Sequence, residues 1–334
     1  MLKFAILGLG GLGKVHFRNY KEVKACKDVE LVAICDIEKS AFETQTDTNL
    51  GSDTSVLDFT GINLYTDAEE MLEKEELDFI ISALPTYLHE KYAVMAMDKG
   101  IHVFSEKPMA INYEQGKSML DASKRNNVKL MIGQCCRYGA SYNKLKELIE
   151  TQEYGKIVDA EFNRLSVTPK WSWNDWFRKE ELSGGAILDL HVHDVDMINY
   201  LFGRPQKICS IGTNVATKHD SVSTLYYYDD VSVCARASWG EASSYTFNSN
   251  FRARFERASV EYGKGMFVIY PDGGEKIEIE LVDKRDYIDE IIDFVDCIEN
   301  DRESEINPPE SSLQSVEIAL AEKKSVDLRQ EVIL

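Results

Sequence analysis

Basic residues are scarce in this chain of 334 residues, which has 38 Lys and Arg against 57 Asp and Glu and a formal net charge of −19. Nucleic acids and anionic membrane surfaces are bound by concentrated Lys and Arg, so neither is an expected partner. We attribute the excess of acidic residues to solubility.

Apolar runs long enough to cross a membrane are also missing from the sequence. The N-terminal apolar stretch after Lys3 imitates a signal peptide, but Lys14, His16 and Arg18 follow it at once and no small-residue cleavage site appears. We therefore expect neither a membrane anchor nor a secretory signal.

The cysteines lack the spacing of a disulfide framework or of a CxxC motif, although there are seven of them. Several lie in apolar segments, as buried thiols do. Cys135 and Cys136 are direct neighbours, which is a poor geometry for a bond to each other. This usage favours a reducing compartment, and we expect a cytoplasmic protein.

A glycine-rich turn near the N-terminus is the most informative feature that is present. Residues 4–7 read as a buried strand, and Gly8, Gly10 and Gly13 follow with GxGxxG spacing before a helical pattern at 14–25. Gly8 permits the tight turn, Gly10 lets the backbone approach a pyrophosphate, and Gly13 lets the helix pack closely on the sheet. The helix N-terminus then binds phosphate. The pattern favours dinucleotide binding over an incidental glycine turn.

Asp36 supports this interpretation because it ends a second apolar strand, 31–35, a little over twenty residues after the last glycine. A carboxylate at that point accepts both ribose hydroxyls of NAD. It would repel the 2′-phosphate of NADP, so NAD is the expected cofactor. Lys39 lies close enough to leave NADP as the alternative.

The first part of the chain, up to about residue 135, alternates strands with helices, which predicts a parallel sheet covered by helices. Ligands bind beyond the carboxyl ends of the strands in such a sheet, and Gly8, Asp36, Pro85, Thr86 and Lys107 all fall at such ends. The predicted helices are 68–76, 89–99 and 113–126, and the later strands are 78–83, 101–105 and 129–134. After Asp36 we expect a helix-like segment to about residue 49 and an exposed loop at 51–61.

Beyond Tyr138 the pattern changes to a predominantly antiparallel or mixed sheet. A helix at 141–150 precedes a strand at 157–167, and a glycine turn opens a helix that runs to about residue 201. Two helices, 287–300 and 312–324, close the chain. The remaining predicted strands are 206–217, 222–228, 231–239, 246–255, 258–262, 266–270 and 277–281. The length of the chain predicts two domains, and the change of pattern divides them into 1–135 and 136–334. We expect the first to bind the dinucleotide and the second to bind the substrate and to form oligomers, with the final helix and tail packing back on the first.

Asp189 and His193 stand four residues apart on the predicted helix after the glycine turn, so they share one face with Asp196. A carboxylate beside an imidazole orients the ring and stabilises its charged form, as acid–base catalysis requires. The alternative is a helix-capping Asp189 with a core histidine. No metal site is expected, because His191 points away from His193 and a third ligand is missing.

Lys107 lies at the carboxyl end of a buried strand, between Glu106 and Pro108. A surface lysine is the simpler interpretation. The proline restricts the backbone there, and a lysine held beside a nicotinamide polarises a substrate hydroxyl or tunes the pKa of a neighbouring histidine.

The sequence resembles the glucose–fructose oxidoreductase / inositol dehydrogenase (Gfo/Idh/MocA) family over nearly its whole length. The resemblance rests on GLGGLG, ALPTYLH, HVFSEKPMA, RY followed by KLKELI, and GGAILDLHVHDVD. It implies an α/β Rossmann domain followed by an α+β domain with a large, open-faced, mainly antiparallel sheet, and a site in the crevice between them. It also implies a catalytic trio of Lys107, Asp189 and His193, and a cis peptide before Pro108.

The same resemblance implies the cofactor contacts, which come from the glycine loop, Asp36 and the ends of later strands: Gly8, Leu9, Gly10, Gly11, Leu12, Gly13, Asp36, Leu84, Pro85, Thr86, His89, Glu106 and Lys107. Substrate contacts are expected from Arg137, Trp176, Arg178 and His191. The chain departs from many relatives in having His191 in place of glycine, Phe177 directly after the tryptophan, and Ala140 in place of proline. Because of these departures, the resemblance does not identify the substrate. Trp171, Trp173 and Trp176 either stack on a sugar or belong to the core.

The expected function is hydride transfer between NAD and a sugar, a polyol or a related substrate, with His193 taking the hydroxyl proton. One alternative is a glycoside hydrolase of the same fold that oxidises a ring carbon transiently. Another is a non-catalytic NAD-binding regulatory protein. Because an exposed sheet face is costly in water, we expect a homodimer or homotetramer.

Overall fold

The computed structural model describes residues 1–43, 46–48, 51–53, 57–281 and 285–334. The chain forms two compact units, one made of 1–134 and 287–313 and the other of 135–286 and 314–334. The segment of the second half that belongs to the first unit is therefore 287–313, and the last 21 residues belong to the second unit. Among the described residues, no helix is both long and apolar enough to cross a membrane.

The first unit contains a parallel sheet with the strand order β5–β2–β1–β6–β7–β8. The central strand, β1, pairs with β2 on one side and with β6 on the other. The chain therefore adds strands first on one side of β1 and then on the other, as in a doubly wound nucleotide-binding sheet. A separate hairpin, β3–β4, lies in the segment after β2. The strands are β1 Leu2–Leu7, β2 Val29–Cys35, β3 Thr46–Thr48, β4 Gly51–Asp53, β5 Asn63–Tyr65, β6 Phe79–Ser82, β7 His102–Glu106 and β8 Leu130–Gly133.

Helices cover this sheet because its strands are apolar on both faces. The rings of Phe79 and Phe104 lie 5.7 and 5.8 Å from Phe294 of the returning helix α8. Ile288 and Ile291 lie on the same helix and join this core. The helices of the unit are α1 Gly11–Cys26, α2 Ala68–Lys74, α3 His89–Met97, α4 Tyr113–Asn126 and, from residue 287, α8 Asp286–Glu299.

The second unit contains a sheet with the order β16–β15–β14–β13–β9–β12–β11–β10–β17, antiparallel throughout except for the β9–β12 pair. Burial alternates along its strands, so that Val222, Thr224 and Tyr226 face the core while Leu225 faces outward. The strands are β9 Ile157–Leu165, β10 Lys207–Thr213, β11 Ser221–Tyr227, β12 Ser232–Ser238, β13 Asn248–Phe255, β14 Ala258–Gly263, β15 Met266–Pro271, β16 Ile277–Glu280 and β17 Val332–Ile333. Its helices are α5 Ala140–Thr151, α6 Glu180–Ser183, α7 Val192–Phe202 and the part of α9 Pro309–Leu328 after residue 313.

The predicted fold class is confirmed, and most predicted elements lie within a few residues of the observed ones. The helix predicted to run to about residue 49 is wrong. Only a short 3-10 turn, Lys39–Phe42, follows Asp36, and residues 46–48 form a strand. The loop predicted at 51–61 begins with strand β4, and its residues 54–56 lie outside the described part of the chain.

Candidate active site

The glycine loop between β1 and α1 has a different requirement at each glycine. Gly8 has a φ of +92°, and a Cβ there would stand 2.6 Å from the Ala83 carbonyl oxygen. A Cβ on Gly13 would stand 1.9 Å from the Gly8 oxygen, whereas a Cβ on Gly10 would meet nothing within 4 Å. Steric contacts inside the unit thus require glycine at 8 and 13. Gly10 is exposed, and the space beside it fits the approach of a phosphate group.

Helix α1 presents its N-terminus at this loop. The first bond inside the helix runs from the Lys14 N–H to the Gly10 oxygen at 3.1 Å. The N–H groups of Gly11, Leu12 and Gly13 precede that bond, and they are the donors that a helix N-terminus offers to an anion. The residues here fit a bound pyrophosphate.

Leu9, one of the expected cofactor contacts, holds Asp36 in place. Its side chain is buried in the core, and its N–H donates to Asp36 Oδ2 at 2.7 Å. The other oxygen of Asp36 accepts from the Glu38 N–H at 2.8 Å. Asp36 is partly exposed, and a carboxylate has about four acceptor positions, so it retains capacity for ribose hydroxyls. The Leu9 N–H therefore orients the acid from inside the unit.

The loop after β6 contains Leu84 and Pro85, which are partly exposed, and Thr86, which is buried. His89 follows on α3 and is buried, with Nε2 at 2.8 Å from the Leu84 oxygen and Nδ1 at 2.9 Å from the Pro108 oxygen. Burial lowers the pKa of His89, while the two carbonyl groups oppose that shift. The buried ring of His89 therefore lies between two strand-end loops and connects them.

Lys107 follows β7 and is partly exposed, and its peptide bond to Pro108 is cis, as expected. Glu106 is buried, with Oε1 at 2.7 Å from His16 Nε2 of α1 and Oε2 accepting from the Lys107 N–H at 3.2 Å. The Glu106 carboxylate is thus used to hold the strand end against α1. We therefore correct Glu106 from a cofactor contact to a residue that positions Lys107.

In the second unit, the residues around Asp189 and His193 have an unusual pattern of burial. Of the residues from 183 to 199, all of which the structure describes, only Asp189 and His193 are less than fully buried. Gly184 and Gly185 start this stretch with φ values of +77° and +72°. The backbone then forms a π-helical turn, Ile187–His191, before α7. Such wide turns frequently occur at functional sites, and here it leaves Asp189 and His193 on the same open side.

Asp196 is not part of that open side. Its oxygens accept from Arg137 Nε at 2.8 Å and from Arg137 Nη2 at 2.7 Å, and both side chains are almost completely buried. Arg137 also lies 4.8 Å above the ring of Tyr200. Arg137 was expected to contact substrate, but its guanidinium instead connects the Cys135–Tyr138 turn to α7 inside the core.

His191 is also buried, and it lies 3.6 Å from Asp194 and 3.4 Å from Glu322. Burial opposes its protonation, but Glu322 and Asp194 outweigh that effect and raise the pKa of His191. Asp194 in turn accepts from Arg164 of β9 at 3.0 and 3.1 Å. The expectation that His191 approaches the substrate is therefore wrong, because its ring belongs to a buried charged cluster behind α7.

The tryptophan-rich segment is partly exposed. Trp171 and Trp173 are 41% and 44% exposed, while Trp176 packs on Phe177 with ring centroids 4.2 Å apart. Arg178 forms an exposed ion pair with Asp175 in the same turn. The exposed rings fit stacking on a ligand better than a core role, whereas Trp176 takes part in local packing.

Cys136 was missed as a neighbour of His193. Its sulfur lies 3.8 Å from His193 Nδ1, and Arg164 Nη2 lies 3.9 Å from the same sulfur. The Cys135 thiol lowers the pKa of Cys136, and Arg164 adds to this effect while burial opposes it. The inward position of Arg164 in the alternation of β9 indicates a buried anionic partner, but that partner is Asp194, so no local pattern in the sequence points to Cys136.

Two family descriptions match the chain: "Oxidoreductase family, NAD-binding Rossmann fold" over residues 2–134, and "GFO/IDH/MocA C-terminal domain" over residues 142–263. The chain belongs to the Gfo/Idh/MocA family. Its first unit is therefore an NAD-binding Rossmann domain.

Among its relatives, glucose-6-phosphate 3-dehydrogenase of Bacillus subtilis is 32% identical over 239 residues, which span 69% of this chain and 63% of that protein. The 2,7-anhydro-N-acetylneuraminate hydratase of Mediterraneibacter gnavus is 26% identical over 214 residues, 64% of this chain and 53% of that protein. The chain thus matches less than two thirds of the length of these relatives. A structure of levoglucosan dehydrogenase with NADH and levoglucosan has a TM-score of 0.84 at 18% identity and covers 99% of each chain, which shows a shared fold.

Proposed function

We propose that this protein is an NAD-dependent dehydrogenase that oxidises a hydroxyl group of a sugar, a polyol or a phosphate ester of either. The observation that carries the proposal is the open side of the 183–199 stretch, where a carboxylate and an imidazole are the only side chains not fully buried. Membership of the Gfo/Idh/MocA family and the names of the relatives support the substrate class.

In the first unit, Asp36 accepts the ribose hydroxyls, and the N-terminus of α1 binds the pyrophosphate beside Gly10. Bound NAD supplies the acceptor for the hydride that leaves the hydroxyl carbon. Asp36 disfavours the 2′-phosphate of NADP, so we propose NAD as the preferred cofactor, with NADP as the alternative.

His193 acts as the general base and takes the hydroxyl proton as the carbon–oxygen double bond forms. Asp189, which lies on the same exposed side as His193, orients the substrate and the imidazole. Lys107 supplies a positive charge that stabilises the developing alkoxide. Correct positioning of these groups, together with the cofactor, accounts for the rate.

The proposal is tested with the full chain on NAD⁺ and NADP⁺ against inositols, aldoses, aldose phosphates, amino sugars and sugar acids, scored by kcat/KM. On a substrate that reacts, His193→Ala and Lys107→Ala should each lower kcat by about 10²- to 10⁴-fold, the usual contribution of a positioned proton-transfer group. Lys99→Ala, at an exposed lysine, is the matched control. Turnover within a few fold of wild type in His193→Ala would rule out this mechanism.

The alternative functions give different results in the same assay. A glycoside hydrolase that oxidises a ring carbon transiently recycles its cofactor, so it cleaves a glycoside without accumulating NADH. A non-catalytic regulatory protein binds NAD but turns over no substrate, and its binding to its partner is unchanged in His193→Ala and Lys107→Ala.

We also propose that two copies pair through the outer face of the second sheet. Ile211 and Leu225 on that face are 73% and 54% exposed, and Met266 and Tyr270 are also exposed there. Exposed apolar side chains on a sheet face are removed from water when two such faces meet, and a two-fold pairing covers both faces at once. A homodimer, or a homotetramer built from it, is the expected assembly.

We propose a cytoplasmic location, which is supported by the seven cysteines being free thiols. Labelling with a membrane-impermeant thiol reagent before and after cell lysis tests this location. Modification only after lysis is the expected result.

A further inference from the structure

Two adjacent cysteines and the proposed catalytic histidine lie together in the second unit. The sulfur atoms of Cys135 and Cys136 and a ring nitrogen of His193 all lie within 4.8 Å of one another. The cysteines start the short helical turn Cys135–Tyr138, and His193 is the second residue of α7. Neither the family membership nor the dehydrogenase mechanism requires these thiols.

We infer that Cys135, Cys136 and His193 form a binding site for a thiophilic metal ion, with Zn²⁺ as its natural ligand, and that occupation of the site inhibits the enzyme. Thiolate and imidazole are the ligands that Zn²⁺ prefers, and three such groups with one open position are a recurring arrangement. Mg²⁺ and Ca²⁺ require oxygen ligands and do not suit this donor set.

The distances need only a small adjustment for metal binding. With Zn–S bonds of about 2.3 Å and Zn–N bonds of about 2.0 Å, the ligand atoms of a tetrahedral site stand about 3.5 to 3.8 Å apart. Cys136 Sγ already lies 3.8 Å from His193 Nδ1. A side-chain rotation that brings Cys135 closer completes the three-ligand set.

The surroundings provide access and balance the charge. Cys136 lines a cavity of about 330 Å³ together with Tyr142, Arg164 and Ser249, so one of the three ligands is open to an entering ion. Arg164 is already neutralised by the bidentate contact with Asp194, so it does not present an unbalanced positive charge to the ion. Two thiolates then neutralise the divalent ion.

The inhibitory effect rests on the proposed function, whereas the metal site itself does not. The ring nitrogen that faces Cys136 is Nδ1. A metal on Nδ1 leaves the remaining ring proton on Nε2, so the imidazole can no longer accept a proton there. The base of the reaction is lost while the metal is bound.

Co²⁺ is the spectroscopic probe for this site. Titration of the metal-free full chain should produce one equivalent of a thiolate-to-cobalt charge-transfer band together with the visible bands of tetrahedral Co²⁺, and Zn²⁺ should abolish both. In Cys135→Ser and Cys136→Ser the affinity for Co²⁺ should fall at least about 100-fold. Residues that only hydrogen-bond to a metal ligand already contribute about 10- to 100-fold to metal affinity, and a direct ligand contributes more. Cys209→Ser, at a partly buried thiol in the same unit, is the matched control and should bind like wild type.

Absence of the band in wild type overturns the site, and so does a band of full intensity in either cysteine variant. His193→Asn should also weaken binding, and unchanged binding would exclude the imidazole as a ligand. X-ray absorption of the Zn²⁺-loaded wild type counts two sulfur ligands without depending on any variant, and a count of none overturns the site. None of these measurements needs turnover. If the band forms but no substrate reacts, the proposed function fails and the metal site stands.

Inhibition is measured separately on any substrate that reacts. Zn²⁺ should abolish turnover and a chelator should restore it, with each variant compared with its own metal-free rate. Loss of this inhibition in Cys135→Ser supports the proposal. Equal inhibition of wild type and Cys135→Ser shows that Zn²⁺ acts elsewhere and overturns the inhibitory role.

Discussion

Gly10 and Gly13 belong to one loop, but a methyl group would have a different effect at each. A Cβ at position 13 would lie 1.9 Å from the Gly8 oxygen, and a Cβ at position 10 has open space. The backbone at Gly8 cannot move away easily, because a Cβ at Gly8 would itself lie 2.6 Å from Ala83. Sequence spacing predicts the glycines. The surrounding atoms show that packing requires Gly13, whereas the space beside Gly10 is open to a ligand.

Gly13→Ala should therefore destabilise the fold by at least about 3 kcal/mol, since overpacking against backbone cannot be relieved by side-chain rotation. Gly10→Ala should leave the free energy of unfolding within about 1 kcal/mol of wild type while weakening NAD binding. Urea unfolding and calorimetric NAD titration measure the two effects. Equal stability loss in both variants would contradict this assignment.

At the scale of secondary-structure elements, the buried pair of Arg137 and Asp196 connects the Cys135–Tyr138 turn to α7. The family resemblance predicted that Arg137 contacts the substrate, but the order of residues does not show whether its side chain points outward or inward. Which way it points depends on Asp196, 59 residues further along the chain.

Arg137→Met should lower the free energy of unfolding by about 3 to 5 kcal/mol, because it leaves the Asp196 charge buried without its partner. The double variant Arg137→Met/Asp196→Leu should regain much of that loss, since both charges are then removed. Denaturant unfolding of the two variants checks this. A double variant no more stable than the single one would refute the account.

His102 at the start of β7 provides a pH-sensitive connection to β8. The Lys129 N–H donates to His102 Nδ1 at 2.8 Å, so that nitrogen must be unprotonated. Burial lowers the pKa of His102, and the Lys129 charge adds to this effect. The unfolded chain binds the proton more readily than the folded one. The stabilisation from neutral His102 is therefore complete above the unfolded-state pKa of about 6.5 and is lost as the pH falls below it.

His102→Asn should remove this dependence, because the amide oxygen still accepts the Lys129 N–H but does not titrate. The midpoint of urea unfolding is measured at pH about 7.5 and at pH about 5.5, which lie above and below the unfolded-state pKa of His102. The wild type should lose more stability than the variant between these two values. A larger loss in the variant would show that the sign of the effect is wrong.

At the scale of the whole molecule, the outer face of the second sheet is expected to form the interface between copies. Leu225 lies on β11 opposite Cys209 of β10 and Cys234 of β12, within this face. It is 54% exposed in the single chain.

Leu225→Glu should convert the expected dimer to monomer, because it places a charge on each side of a two-fold interface. Leu64→Glu is the control, at a residue of the first unit that is 45% exposed. Light scattering at micromolar concentration measures the mass of each variant. A wild-type monomer, or a Leu225→Glu dimer, would refute the proposed interface.

The sequence by itself determined the strand and helix order, the parallel and antiparallel sheets, the glycine loop, Asp36, and the Asp189–His193 pair. These depend on local periodicity, on turn chemistry and on spacing within one element. Only the tertiary structure decided that Glu106 and His89 support the site from behind, that Arg137 and His191 are buried, and that two cysteines stand beside His193. Those outcomes depend on groups brought together from distant parts of the chain, where burial requires each charge to find a partner that local pattern does not encode.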